Sequence, residues 1–252
     1  MTAEIARDEI VLHPPDELNP AIDLCLEDFM GTWHVIHSTL PLWKSRKDVT
    51  ITYTLKTPLS GTDDGAVQFD DVVEYRSKSD APSSSRSRIV GVDTLVSQSS
   101  SHTNAVALYA APGSGPLRDS LDASTSAAPA TPPNAASPSA LDTTTNARKL
   151  AQTRFKWRGK GWLAIASSRW QLLGCSADPS PGSVGAWAVT YFEKTLFTPA
   201  GLDIYARTAD GLPADVVAEI IAKAKGFGGD VAKLAEGFFE VGRSGVAGKV
   251  TV

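Results

Sequence analysis

In the stretch DVTITYTLK, Val49, Ile51, Tyr53 and Leu55 alternate strictly with Thr50, Thr52 and Thr54. A period of two puts successive side chains on opposite faces of a pleated strand, so this segment buries one face only. The same period runs through TWHVIHS before it. After it come AVQFDDVVEY, with Val67, Phe69, Val73 and Tyr75 on one face, and the β-branched RIVGVDTLV. Four such strands in succession, joined by turn sequences such as TDDG, read as an antiparallel meander. Strand signals resume with QTRFKW, GWLAIA, RWQLLGC, AWAVTYFEK and GLDIYAR. Eight or nine one-sided strands have two usual solutions, a sandwich or a closed barrel.

The period then changes. In LPADVVAEIIAKAKGFGG, Val216, Val217, Ile220, Ile221 and Ala224 recur at helical spacing, with Pro213 near the start and Gly226 after the last lysines. The spacing predicts an amphipathic helix over about residues 213–226, and DVAKLAEGFFEV continues it as a second helix or an extended tail. Residues 1–28, punctuated by PPDELNP, read as an N-terminal tail ending in a short helical or irregular piece. Between Ser97 and about Arg148 the chain is Ala, Ser, Thr and Pro with almost no bulky apolar residue, the composition of a disordered insertion. NAVALYA within it is either a strand fragment or loop. Lengthening a loop from roughly 10 to roughly 50 residues adds only about 1.4 kcal/mol of closure entropy, so an insertion at about 98–148 need not divide two domains. The expectation is one domain over 29–252.

A glycine followed two residues later by a tryptophan, Gly31 and Trp33, fits a barrel better than a sandwich. Gly31 permits a sharp entry into the strand, and Trp33 plugs the narrow closed end. FMGTWHVIHSTLPLW followed by KDVTITYTLK resembles the opening of the lipocalins, in particular the bacterial outer-membrane-type lipocalins and their eukaryotic relatives. A Gly-x-Trp motif, a Leu-Pro turn and a Val-Thr-x-x-Tyr strand occur here in the order and spacing of that family. LDIYAR resembles the last barrel strand, and ADVVAEIIAKAKGFGGDVAKL the helix after it. The resemblance covers about residues 25–98 and 150–240. It implies a mainly β fold of the lipocalin/calycin superfamily, an eight-stranded antiparallel up-and-down barrel with a C-terminal helix, and it implies that Arg207 packs over Trp33 instead of anchoring a ligand carboxylate. Many members are secreted with disulfides. This chain opens with acids and prolines where an export signal needs a basic start and an apolar run, so an intracellular, cytoplasmic setting is expected, with Cys25 and Cys175 as thiols.

A barrel of about eight strands is just wide enough inside for one small ligand. With Trp33 inward, strand parity adds Val35, His37 and Thr39 to its face, Val49 and Tyr53 from the next strand, and Phe69 and Tyr75 from the third. These residues, with Tyr191, form the expected ligand-binding set. His37, Tyr53 and Tyr191 are the candidates for proton transfer, and Gly31, Trp33 and Arg207 are assigned structural roles. Burying eight to ten methylenes supplies roughly 6 to 8 kcal/mol before association costs, enough for micromolar affinity.

Other chemistry is disfavoured. The formal charge is −4 and the 24 Lys and Arg are scattered, so no nucleic-acid footprint exists. Trp157, Trp162, Trp170 and Trp187 lack basic neighbours in a cluster and read as barrel filling and pocket lining. His34 and His37, an odd step apart, point to opposite faces of a strand and cannot chelate one ion, so no metal site is expected. GKGWLA lacks the strand and helix that a dinucleotide loop needs; it reads as a hairpin turn, and no cofactor is expected. The paired acids at 63–64 and 70–71 read most simply as solvated charges, although Asp71 shares parity with Phe69. No uninterrupted apolar run approaches the roughly 18 residues of a membrane span. Two functions emerge: a carrier or sequestering protein for a fatty acid, terpenoid or polyketide, or a cofactor-free, pericyclase-like isomerase or cyclase of a hydrophobic secondary metabolite in the same cavity. A third is an interaction protein whose low-complexity segment is the working part.

Overall fold

The structure is a computed structural model that describes residues 9–15, 22, 26–56, 67–96, 153–176 and 185–244. After a one-turn helix α1 (Leu26–Phe29), eight strands come in order: β1 (Gly31–Ser38), β2 (Arg46–Leu55), β3 (Gln68–Ser77), β4 (Ser87–Leu95), β5 (Arg154–Gly159), β6 (Ser167–Ser176), β7 (Trp187–Phe192) and β8 (Gly201–Ala206). Each pairs antiparallel with the next, and β1 pairs with both β2 and β8, which closes an eight-stranded barrel. Helices α2 (Ala214–Gly226) and α3 (Gly229–Glu236) and a two-residue strand β9 (Phe239–Glu240) beside β1 complete the described chain. The segment read as helix or tail is therefore both, a short helix and then a strand.

Alternation along the strands sorts the apolar residues into two cores. Inside the barrel lie Phe29, Trp33, Val35, Val49, Ile51, Tyr53, Phe69, Phe155, Trp170, Leu172 and Tyr205. Outside, Ile36, Leu173, Trp187, Val189, Leu202 and Ile204 pack against Val216, Val217, Ile220 and Ala224 of α2. The helical spacing read from the sequence is thus the stripe that covers one wall. Ile10, from the segment read as a tail, is buried in this outer core, and His13 N donates to the Leu173 carbonyl at 2.7 Å.

GWLAIA is not a strand. Gly161–Leu163 forms a single 3-10 turn inside the β5–β6 connection, and Ile165 is 89% exposed. Its apolar residues carry no partner strand because β5 ends at Gly159 and β6 begins at Ser167. The insertion expected at about 98–148, including NAVALYA, lies outside the described residues, as do Cys25, His102 and the acids at 63–64. β4 and β5 pair directly on either side of that interval, with Leu95 opposite Phe155. Among the described residues, no helix is long and apolar enough to cross a membrane.

Candidate functional site

Gly31 and Trp33 stand together with Arg207 at one barrel end. Gly31 has φ +92°, a conformation that side chains with a Cβ rarely adopt, and a Cβ there would stand 3.3 Å from an Arg207 guanidinium nitrogen. The space is taken by that guanidinium, whose carbon lies 3.7 Å from the Trp33 ring centroid. It donates to the carbonyls of Asp28 and Thr32, while the Trp33 indole N–H donates to the Phe29 carbonyl at 2.8 Å. Above this plug the rings of Phe29, Tyr53, Phe69, Phe155 and Trp170 pack in sequence, with centroids 4.3 to 5.4 Å apart along the row from Phe29 through Tyr53, Phe69 and Phe155 to Trp170.

The other end is open. A cavity of about 250 Å³ lies above the rings, lined deep down by Ile51, Tyr53 and Trp170, along the walls by Asp71, Val73, Ile89, Trp157 and Asp203, and at the mouth by Leu40, Leu42, Trp43, Ser168, Phe192, Glu193 and Thr198. The mouth residues come from the connection after β1, the start of β6, and the end of β7 with the connection that follows it. Trp43, in the turn Pro41–Ser45, is held over it by its indole N–H, which donates to Asp203 at 3.3 Å; the Ser38 hydroxyl donates to the other oxygen of that carboxylate at 2.5 Å and accepts from Leu40 N at 2.9 Å.

Of the residues expected to bind ligand, Tyr53 lines this cavity. Trp33, Val35, Val49 and Phe69 are buried inside the barrel but belong to the packed interior outside the cavity wall. Tyr75 sits edge-on to Trp43 with centroids 6.1 Å apart, beneath the Arg46 guanidinium. His37 and Tyr191 are on the outside. A bulge in β1 inserts Ile36, so that Val35 opposes inward Tyr205 while His37 opposes outward Ile204 and Ser38 opposes Asp203. Strict parity from Trp33 fails at that point. His37 instead lies beside Glu240 of β9 and near Arg243, and burial and Arg243 hold it below the ordinary imidazole range against the pull of Glu240. Tyr191 opposes Leu202 and packs on the outer core under the helices. Neither reaches the cavity as a proton-transfer group.

The site residues that strand parity undervalued are acidic. Asp71, Asp93 and Asp203 are buried inside the barrel, and the Trp157, Trp170 and Trp43 indoles respectively donate to them. The Asp93 contact is 2.7 Å. Gly91 makes the first of these pairs possible. It lies on β4 between Asp71 on β3 and Gly159 on β5, and a Cβ on it would collide with the Trp157 indole nitrogen. The indole therefore crosses β4 over the bare backbone of Gly91 to reach Asp71. Parity with Phe69 was the available signal for Asp71; nothing in the sequence tied it to Trp157. Trp157 and Trp170 line the cavity as read, whereas Trp187 packs in the outer core.

Burial dominates the electrostatics of these groups. It pushes Asp203 up to about 7, with Ser38 and Trp43 opposing, and raises Asp71 and Asp93 together, each partly restrained by its indole; the neighbouring Asp93 charge adds to the rise at Asp71. Burial likewise raises the Tyr53 and Tyr205 phenols well above their usual value. Cys175, a free thiol opposite Ala188 on the inner face, is pushed by burial up to about 12, against the pull of Arg207. Among the described residues, no group of three or more His, Cys, Asp or Glu side chains could hold a metal ion.

An up-and-down barrel of eight strands, sealed at one end by a Gly-x-Trp strand and its arginine, opened at the other to a ligand-sized cavity and flanked by a C-terminal helix, has the lipocalin/calycin fold. No protein-family model and no curated protein sequence matches the chain. Among solved structures it is similar to apocrustacyanin C2, at 11% identity and a TM-score of 0.44 over 92% of this chain and 94% of that one. It is also similar to apocrustacyanin C1, at 13% identity and a TM-score of 0.42 over 93% and 91%. Insecticyanin from the tobacco hornworm Manduca sexta matches at 13% identity with a TM-score of 0.46 over 95% and 92%.

Proposed function

We propose that this protein binds one compact hydrophobic molecule inside its barrel, as a carrier or sequestering protein of the cytoplasm. The observation that carries the reading is the cavity of about 250 Å³, walled by aromatic and aliphatic side chains and open at one end. Cavities of this kind bind by removing apolar surface from water at about 25 cal/mol per Å², with a few polar groups fixing orientation. The volume and lining favour a terpenoid or an aromatic polyketide over a fatty acid. A long acyl chain exceeds the space, and its carboxylate would be buried with no Lys, Arg or His among the lining residues to pair with it. Native mass spectrometry of the protein purified from its own cells, followed by release and identification of the ligand, tests the reading. Stoichiometric recovery of an apolar molecule supports it; an empty barrel that also fails to take up such molecules from a cell extract counts against it.

A second reading is favoured by one observation, the carboxyl of Asp71 kept buried at the cavity wall beside aromatic rings. A carboxyl that keeps its proton at neutral pH is a general acid, and ring faces stabilise the positive charge that protonation of an alkene or carbonyl creates. On this reading the barrel is a cofactor-free isomerase or cyclase of a secondary metabolite. The two readings separate when extract-derived ligand is recovered chemically changed from wild type and unchanged from Asp71→Asn.

A further inference from the structure

The interior carboxyls are of two kinds. Asp203 has both oxygens hydrogen-bonded, to Ser38 and Trp43, and acts as the brace of the mouth. Asp71 and Asp93 each have one oxygen taken by an indole, and the other, Oδ1 of Asp71 and Oδ2 of Asp93, is buried with no hydrogen-bond partner among the described residues. Buried acceptors almost always have partners, and a carboxyl oxygen without one costs more than a neutral group would. A carboxyl serving only as a packing brace has no reason to keep such an oxygen.

The surroundings contain nothing to match them. Asp71, 7% exposed, stands in the cavity wall, and Asp93 sits on the neighbouring strand behind it, a diagonal step away on the same face. The other titratable groups facing this interior are Asp203 and Tyr205 of β8, Tyr53 of β2, Tyr75 of β3, Cys175 of β6 and, at the mouth, Glu193. All are acids. Among the described residues, no Lys, Arg or His forms an ion pair with Asp71 or Asp93, and Arg207 is committed beneath Trp33 at the closed end. The rest of the lining is aromatic, with Trp43, Trp157 and Trp170 around the same space.

Building on hydrophobic binding in the barrel, we propose that the cavity selects a compact hydrophobic amine, bound as its ammonium ion with an N–H donated to Asp71 and its carbon skeleton against Trp43, Trp157 and Trp170. An ammonium supplies both missing features, a donor for the open oxygen and a positive charge among acids and ring faces. A neutral alcohol of the same shape can donate to that oxygen but brings no positive charge, and a carboxylate brings neither a donor nor a cation. Burial raises both neighbouring acids and each disfavours ionisation of the other, so binding of an ammonium is expected to release a proton.

Isothermal titration calorimetry on the full chain at pH 7, with 2-phenylethylamine, 2-phenylethanol and phenylacetate in buffers of different ionisation heat, tests this. The three probes share one skeleton and differ in charge. The expected result is an amine bound about tenfold or more tightly than the alcohol, phenylacetate weakest, and net proton release with the amine alone. In Asp71→Asn the amine-to-alcohol ratio falls to near one; should that variant fail to fold, the wild-type ratio and proton count decide the matter. An amine no tighter than the alcohol overturns the inference and leaves hydrophobic binding standing. Failure of all three probes to bind overturns the inference, and native mass spectrometry then decides hydrophobic binding itself.

Discussion

At the residue scale, the interior acids set the pH behaviour. A carboxyl whose folded-state value is raised, as burial raises Asp203 to about 7 and raises Asp93, binds its proton more tightly folded than unfolded. The folded protein therefore holds extra protons between about pH 4 and 7, and these groups' contribution to stability is present below that window and lost as pH rises through it. Asp93→Asn keeps an acceptor for the Trp170 indole and removes one of the charges. Its melting temperature is expected to fall less than wild type's between pH 5 and 8, with a gain of about 1 to 3 kcal/mol at pH 8; thermal melts at the two pH values measure this. The Trp157–Asp71 pair is tested at Gly91. Gly91→Ala forces the indole off its path, and a loss of about 1 to 3 kcal/mol is expected in denaturant unfolding, together with weaker ligand binding.

At the scale of elements, β1 decides which groups face the cavity. Its first half carries Trp33 and Val35 inward, and its second half, after the bulge at Ile36, carries Ser38 inward and His37 out toward β9. The extra residue also lets Ile36 join the outer core under α2, so one irregularity serves both the helix dock and the Ser38–Asp203 brace. Since His37 stands outside, His37→Ala is expected to leave the affinity for a neutral probe such as 2-phenylethanol within about twofold, a change of no more than about 0.4 kcal/mol. Titration by intrinsic tryptophan fluorescence reads it. A large loss would place the imidazole in the binding path after all.

For the whole molecule, barrel closure is expected not to depend on the Ala-, Ser- and Pro-rich interval. β4 and β5 are hydrogen-bonded neighbours on its two sides, down to Val96 N donating to the Arg154 carbonyl at 2.9 Å. Replacing residues 98–148 with a short Gly-Ser linker shortens the loop that must be closed, worth about 1 kcal/mol in favour of folding on the logarithmic scaling. The shortened chain is expected to keep the far-ultraviolet spectrum of a β barrel and a melting temperature within a few degrees of wild type, measured by circular dichroism. Loss of folding would show that the interval supplies part of the barrel.

Much of the architecture was legible in the residues, because local physics writes it there. The period of two in 49–55 is a strand with one wet face wherever it is placed, the 3.6 period in 214–226 is a helix with one apolar stripe, and the Gly31–Trp33 step marks a tight entry beside a large buried ring. The cavity was legible only in part. Parity is a local rule, and a single added residue in β1 reversed it for His37, while GWLAIA looked like a strand because apolar residues in a turn read the same as apolar residues in a ladder. The carboxyl-indole pairs join residues separated by 77 and 160 positions in the cases of Asp93 with Trp170 and Asp203 with Trp43, and the bare backbone of Gly91 joins a third. Sequence by itself determined which side chains are amphipathic and at what period, since that depends on near neighbours in the chain. Only the tertiary structure decided which acids face one another inside a dry barrel, since that depends on register and closure, and it is there that burial gives them their chemistry.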